Sequence, residues 1–419
     1  MNKFTRWIIL FLVSVAMFGN YYIYDAISPM ADLLVKQLNF SDSDIGLLQA
    51  IYSMPNIVMV LIGGIIIDKI GTRRGTLIFA FLCFVGAGIT AISDTLFWMA
   101  LGRLIFGLGA ESMIVAVTTA IAKWFKGKEL SFAFGLNLTI ARLGSFAALN
   151  SPSWGAQYFT NWRYPLLIAT VAGIICVAGA IFYFLVESNS EKNSPIAQKS
   201  ESDKFVFSDL FNFGVSFWLI VGLCVTFYSA VFPFQTFAVK YFQDAHGTTR
   251  EMGGFLSSIL TLFAMIATPL FGLMADKIGK RAFLMMIGSA LLIPVFLIMA
   301  FTKINLFIPM AVLGISFSLV PAIMWPSVAY LVDEKKLGTA YGMMTLIQNI
   351  GLTVFNLLIG NVNDSFSATV QNPNGYIPGL IIFSALGVFG LIFSFMLMQR
   401  EKSFKGHGLE LSNPKENNI

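Results

Sequence analysis

The sequence predicts an all-α membrane protein of about twelve transmembrane helices in two pseudo-symmetric six-helix halves. Three observations carry that prediction. Charge is scarce, apolar runs of span length recur along the whole chain, and one short polar loop is written twice. Of 419 residues, 57% are hydrophobic and 12% charged, whereas soluble domains hold about 45–50% apolar and about 25% charged residues. A soluble protein so built would have no polar surface to turn to water. The surplus, rich in Phe (41) and Met (19), therefore faces lipid. The net charge of +5 is not a nucleic-acid footprint, because the basic residues stand in short clusters between apolar runs, as topology signals do.

A span needs about 20 apolar residues. Runs of that kind occupy 6–28, 45–67, 75–93, 96–123, 129–152 and 163–187, then 215–243, 250–275, 281–302, 305–331, 337–364 and 374–398. This places an N-terminal half at 1–187, a cytoplasmic linker at 188–212, a C-terminal half at 213–398 and a cytoplasmic tail at 399–419. The linker is rich in Ser, Glu and Lys and reads as flexible, with its end, Phe205–Phe213, resting on the membrane surface. Pro55, Pro233, Pro269, Pro321 and Pro326 fall inside spans and mark kinks. Cys83, Cys176 and Cys224 lie in apolar runs without metal-ligand spacing and read as small core residues.

Basic residues crowd alternate loops: Lys3 and Arg6; Lys69, Arg73 and Arg74; Lys123, Lys126 and Lys128; Lys192, Lys199 and Lys204. The series continues with Lys277, Lys280 and Arg281; Lys335 and Lys336; and Arg400, Lys402, Lys405 and Lys415. The opposite loops carry only Lys36, Arg163, Lys240, Arg250 and Lys303. This bias puts both termini in the cytoplasm and asks for an even number of spans.

The duplicated loop follows the second and the eighth span. It reads Gly64-Ile-Ile-Ile-Asp68-Lys69-Ile-Gly71-Thr-Arg73-Arg74 and Gly272-Leu-Met-Ala-Asp276-Lys277-Ile-Gly279-Lys280-Arg281. Its glycines suit close helix approach and a tight turn. Its Asp suits a helix N-terminus or a basic residue, a contact whose rupture would favour opening. This loop resembles the signature of the major facilitator superfamily, and Arg103-Leu-Ile-Phe-Gly107-Leu-Gly109-Ala110 resembles that family's basic motif in the fourth span. The resemblance implies the major facilitator fold, with related halves around a midplane site. It marks Gly64, Asp68, Gly71, Arg73, Arg103, Asp276 and Gly279 as a gating set.

Ionisable residues inside spans are costly and are functional candidates by default. Glu111 lies in the fourth span and Arg142 in the fifth. At about 1.5 Å per residue from Lys123 and Glu129, both stand about 18–20 Å from one membrane face. Two readings follow. The two residues pair, because buried charges need partners, or they hold the ends of a zwitterion, Arg142 forking onto a carboxylate and Glu111 accepting from an ammonium. An internal pair that opens for substrate joins both. Arg103, nearer the outer face, reads as structural, and Asp25, at the outer end of the first span, as solvated. Tyr21, Tyr22 and Tyr24 read as an aromatic belt or as cavity residues. Among the other polar and aromatic span residues, Tyr52, Gln235 and Trp325 read as cavity residues.

A narrower resemblance covers Arg103–Ser145. Gly109-Ala-Glu-Ser112, Trp124-Phe-Lys-Gly-Lys-Glu-Leu130, Phe134-Gly-Leu136 and Ala141-Arg-Leu-Gly-Ser145 resemble the lysosomal dipeptide transporter branch of the superfamily. That branch moves dipeptides by facilitated transport, and the resemblance implies contacts to the peptide termini for Glu111 and Arg142. The favoured reading is thus a dipeptide uniporter. A proton-coupled carrier of another organic anion or zwitterion is the alternative, with Glu111 as its proton site. A transporter-like sensor is the third. The two histidines, His246 and His407, fall in loop and tail, and no Gly-Lys-Ser/Thr loop or metal-ligand cluster is present. An enzyme, a cofactor and ATP drive are therefore not expected. The expected partners are a small-molecule substrate, the lipid bilayer and, in the coupled reading, protons. Nucleic acid is not expected and an accessory subunit is not implied. With no sorting signal evident in the short N-terminal tail, a cytoplasmic (plasma) membrane is preferred to a lysosomal one.

Overall fold

In lipid every backbone N–H and C=O must find its partner within the protein, so long apolar stretches become helices. The computed structural model describes residues 3–125, 129–193, 213–333, 336–403 and 406–411. Lys126, Lys128, Lys199, Lys204, Lys335, Lys405, Lys415 and the expected surface segment from Phe205 to Asn212 lie outside the described residues. The chain divides into two compact units, Met1–Ser202 and Asp203–Ile419.

The first unit contains α1 (Lys3–Asp25), α2 (Ala31–Leu38), α3 (Asp42–Ile70), α4 (Thr72–Ile92), α5 (Leu96–Phe125), α6 (Leu130–Leu149), the single turn α7 (Ser151–Trp154) and α8 (Arg163–Asn193). The second contains α9 (Val215–His246), α10 (Arg250–Ile278), α11 (Arg281–Phe301), α12 (Phe307–Leu331), α13 (Leu337–Ser365) and α14 (Ile377–Glu401). Among the described residues eleven helical runs are long and apolar enough to cross a membrane. The bent α3, with 59° between Asp42–Met59 and Ile62–Ile70, makes a twelfth.

Polar side chains start some of these helices. Ser41 accepts from the Asp44 amide (3.1 Å) while the Asp44 carboxylate accepts from the Ser41 amide (2.9 Å), a reciprocal cap at the head of α3. Thr249 caps α10 through the Met252 amide. Within the first unit, Ile9 and Val13 of α1 join a buried cluster with Phe79, Met113, Trp124, Phe125 and Tyr183. Within the second, Phe234 packs edge-on against Phe296 (5.2 Å) and Phe383 (6.0 Å), joining α9, α11 and α14. Large apolar side chains such as Phe81, Ile174, Ile266 and Leu270 stay exposed, the pattern that lipid allows.

Several expectations need correction. Helix α8 runs on to Asn193, so the polar stretch expected from 188 begins as helix. The stretch between the first two spans forms α2, where Lys36 pairs with the buried Asp32 (3.1 Å) one turn earlier. His246 closes α9 instead of standing in a loop. Pro294 is a further proline inside a helix. Lys240, counted as a loop cation, is 5% exposed on α9. Its Nζ donates to Tyr376 Oη (2.7 Å) and stands 3.4 Å from Asp244.

Candidate functional site

The fourth-span motif is built for close packing. A Cβ on Gly107 would stand 2.3 Å from the Tyr52 carbonyl, so α5 meets α3 there only through glycine. That approach lets Arg103 reach two other helices. Its Nε donates to the Leu48 carbonyl (3.2 Å) and Nη1 to the Ile23 carbonyl (3.1 Å). Nη2 donates to the Tyr24 carbonyl (3.4 Å) and to Gln49 Oε1. The guanidinium also lies over the rings of Tyr52 (5.4 Å) and Phe106 (5.1 Å). Arg103 is 2% exposed and ties α1, α3 and α5 together.

Around this knot the first unit gathers its other charges. The Tyr52 hydroxyl faces the Glu111 carboxyl, and the Tyr52 ring packs on Tyr24 (4.8 Å) and Phe106 (5.1 Å). Tyr21 lies in the combined field of Arg142, Glu111 and Asp25. Glu111 and Arg142 each keep part of their surface uncovered. The structure thus brings Glu111, Arg142, Tyr52 and Arg103 into one neighbourhood.

Asp25 is the correction here. Expected in solvent, it is 7% exposed, faces Ser145 and lies in the field of Arg103 and Arg142. Ser145 follows Arg142 by three residues and so shares its face of α6. Tyr22 is buried as well, so the Tyr cluster of α1 turns inward and is no simple belt. Counting along one helix could not reveal Asp25's place, because its neighbours come from α5 and α6.

In the second unit Trp325 Nε1 donates to Tyr228 Oη (2.9 Å), and the Trp325 carbonyl accepts from Tyr341 Oη (3.2 Å). The Trp325 and Tyr341 rings stack at 6.1 Å. Gln235 is 6% exposed on α9, two turns beyond Tyr228. Tyr341 was not singled out from sequence. Its spacing from Trp325 across a helix break gives no periodic signal.

The two loop repeats have like geometry. Gly71 and Gly279 turn the chain at φ +83° and +69°. A Cβ on Gly64 or Gly272 would meet nothing within 4 Å, so the close approach expected there is not made. Asp68 is exposed, while Asp276 pairs with Arg281 at 3.0 Å. Arg73 lies over the Phe184 ring at 5.5 Å.

A family model for the Major Facilitator Superfamily matches residues 10–356 and 233–413. The chain belongs to that superfamily and is a multi-pass membrane transporter, not an enzyme. Among characterised relatives it is similar to the lysosomal dipeptide transporter MFSD1 of Homo sapiens, 33% identical over 373 residues, 86% of this chain and 80% of the relative. The Danio rerio protein of the same name is 34% identical over 372 residues, covering 86% and 81%. A probable sulfoacetate transporter, SauU of Cupriavidus necator, is 23% identical over 417 residues, covering 92% and 93%. The fold is similar to that of a bacterial homologue of the human lysosomal transporter Spinster, itself solved in an inward-facing conformation, with TM-score 0.74, 17% identity and coverage of 95% and 98%.

Proposed function

We propose that this transporter carries dipeptides as a uniporter by alternating access, with Glu111 receiving the amino terminus and Arg142 the carboxylate. The observation that carries this reading is the charge set of the first unit. Asp25 and Glu111 stand against Arg103 and Arg142 in one neighbourhood. Arg103 is committed to carbonyls and rings, and Glu111 and Arg142 each keep part of their surface uncovered. A zwitterion adds no net charge to that balanced set, so it enters without leaving an uncompensated buried ion. The relatives named as dipeptide transporters support the same class. Within the second unit, Trp325, bonded to Tyr228, and Gln235 are proposed as cavity residues. The Lys and Arg distribution supports cytoplasmic termini. The relatives named as lysosomal stand against the plasma-membrane placement expected from the sequence.

A second reading has its own support. Two carboxylates lie in the same neighbourhood, and a relative is named for an organic anion. An anion would bring one unbalanced charge, which a proton on Glu111 or Asp25 would offset.

Equilibrium binding with blocked ligands tests the assignment. Arg142→Ala weakens a free dipeptide by about 10–100-fold, the worth of a charge-assisted bond. It has little further effect on a dipeptide whose carboxylate is already amidated. Glu111→Gln has the matching relation to N-acetylated ligand. Additive losses from mutation and blocking would show that these groups do not meet.

A further inference from the structure

Helix α11 starts at Arg281 behind Lys280, whose side chain supplies no cap. The first N–H groups of a helix have no partner within it. Here their acceptors come from beyond the last helix of the same unit. The Lys280 amide donates to the Glu410 carbonyl (3.1 Å) and the Arg281 amide to the Leu409 carbonyl (3.2 Å). The Ala282 amide donates to Glu410 Oε1 (2.9 Å), and the Phe283 amide bonds the same carboxylate. Arg281 Nη1 adds a bond to the Leu411 carbonyl (3.2 Å). Residues 406–411 therefore stand as the N-terminal cap of α11, with a carboxylate placed where the helix dipole favours it.

This segment has its own anchors. Leu409 is 0% exposed. Glu401, at the end of α14, accepts from Ser216 Oγ (2.9 Å) and from the His407 amide (2.6 Å), and meets His407 Nδ1 at 3.0 Å. Burial of Glu410 raises its pKa, opposed by the two capped amides and by Lys402. The capped turn is the second copy of the repeated loop. The first copy is held differently: Tyr183 of α8 donates to Thr72 Oγ1 (3.0 Å) without leaving its helix.

We propose that residues 406–411, hinged at Glu401, form a clasp that caps α11 and restrains the second repeated loop, and that its release regulates the transport cycle. A released clasp leaves the start of α11 frayed, so the loop moves separately from its unit. Transporter halves that rock as rigid bodies need the loop to follow the unit, and turnover falls.

Hydrogen exchange on the full-length protein in lipid nanodiscs tests the clasp without any substrate. Leu409→Asp puts a charge where the side chain is fully enclosed. Amides 280–284 then exchange about tenfold faster or more, as loss of a cap implies, while amides 71–75 in the first unit keep their rates. Glu410→Gln retains a weaker acceptor and gives a smaller acceleration, and it carries the test if Leu409→Asp does not fold. Unchanged exchange at 280–284 in the folded variants overturns the clasp. The regulatory half rests on the dipeptide reading and is measured separately. Dipeptide turnover by Leu409→Asp falls about threefold or more at unchanged KM, the pattern of a slowed conformational step. Faster exchange with unchanged turnover would leave a structural staple and overturn regulation.

Discussion

Arg103 and Arg142 lie in the same unit and differ in how fully they are covered. Arg103 is closed off by three carbonyls, Gln49 and two aromatic faces. Its planar fork is what allows one side chain to bind three helices. Arg103→Lys keeps the charge and loses the fork. It is expected to lower stability by roughly 1–3 kcal/mol, the cost of leaving buried acceptors unmet, read as a lower thermal midpoint of the purified protein. An unchanged midpoint with lost binding would make Arg103 a ligand contact instead. Glu111 and Arg142 were legible in sequence because a charge in an apolar run is conspicuous. Asp25 and Lys240 were legible as residues but not in their places. Each sits near the end of its helix, where exposure is the default, and is buried by partners distant in sequence: Ser145 for Asp25 and Tyr376 for Lys240.

At the scale of elements, the repeated loop states its own geometry. Gly71 combines φ +83° with ψ 158°, a region that only glycine occupies comfortably. Gly71→Ala is expected to cost roughly 1–3 kcal/mol. Gly64→Ala, where a Cβ meets nothing within 4 Å, is expected to be neutral or mildly stabilising, since alanine favours helix. Parallel thermal unfolding of the two variants checks the contrast, and equal losses would contradict it. The spans were legible because continuous apolar runs of span length mark them plainly. Helix α2 was not, because it is too short to stand out as a span and its ion pair and buried Asp32 depend on the fold around it. The capping of α11 was equally hidden, since its acceptors arrive from Leu409 and Glu410, more than a hundred positions later.

At the scale of the molecule, scarcity of charge predicted the membrane and duplication predicted the superfamily, and the family match agrees with both. Substrate is a different matter. Selectivity depends on side chains from several helices, and the sequence points most firmly to two of them. The central claim is that Glu111 and Arg142 bind the termini of a transported dipeptide. Uptake of a radiolabelled dipeptide into liposomes holding the purified protein tests it most directly, with and without an imposed pH gradient. The account predicts saturable uptake that needs no gradient and is lost in both Glu111→Gln and Arg142→Ala. Undiminished uptake by both variants, or no uptake of any dipeptide by folded wild-type protein, would contradict it.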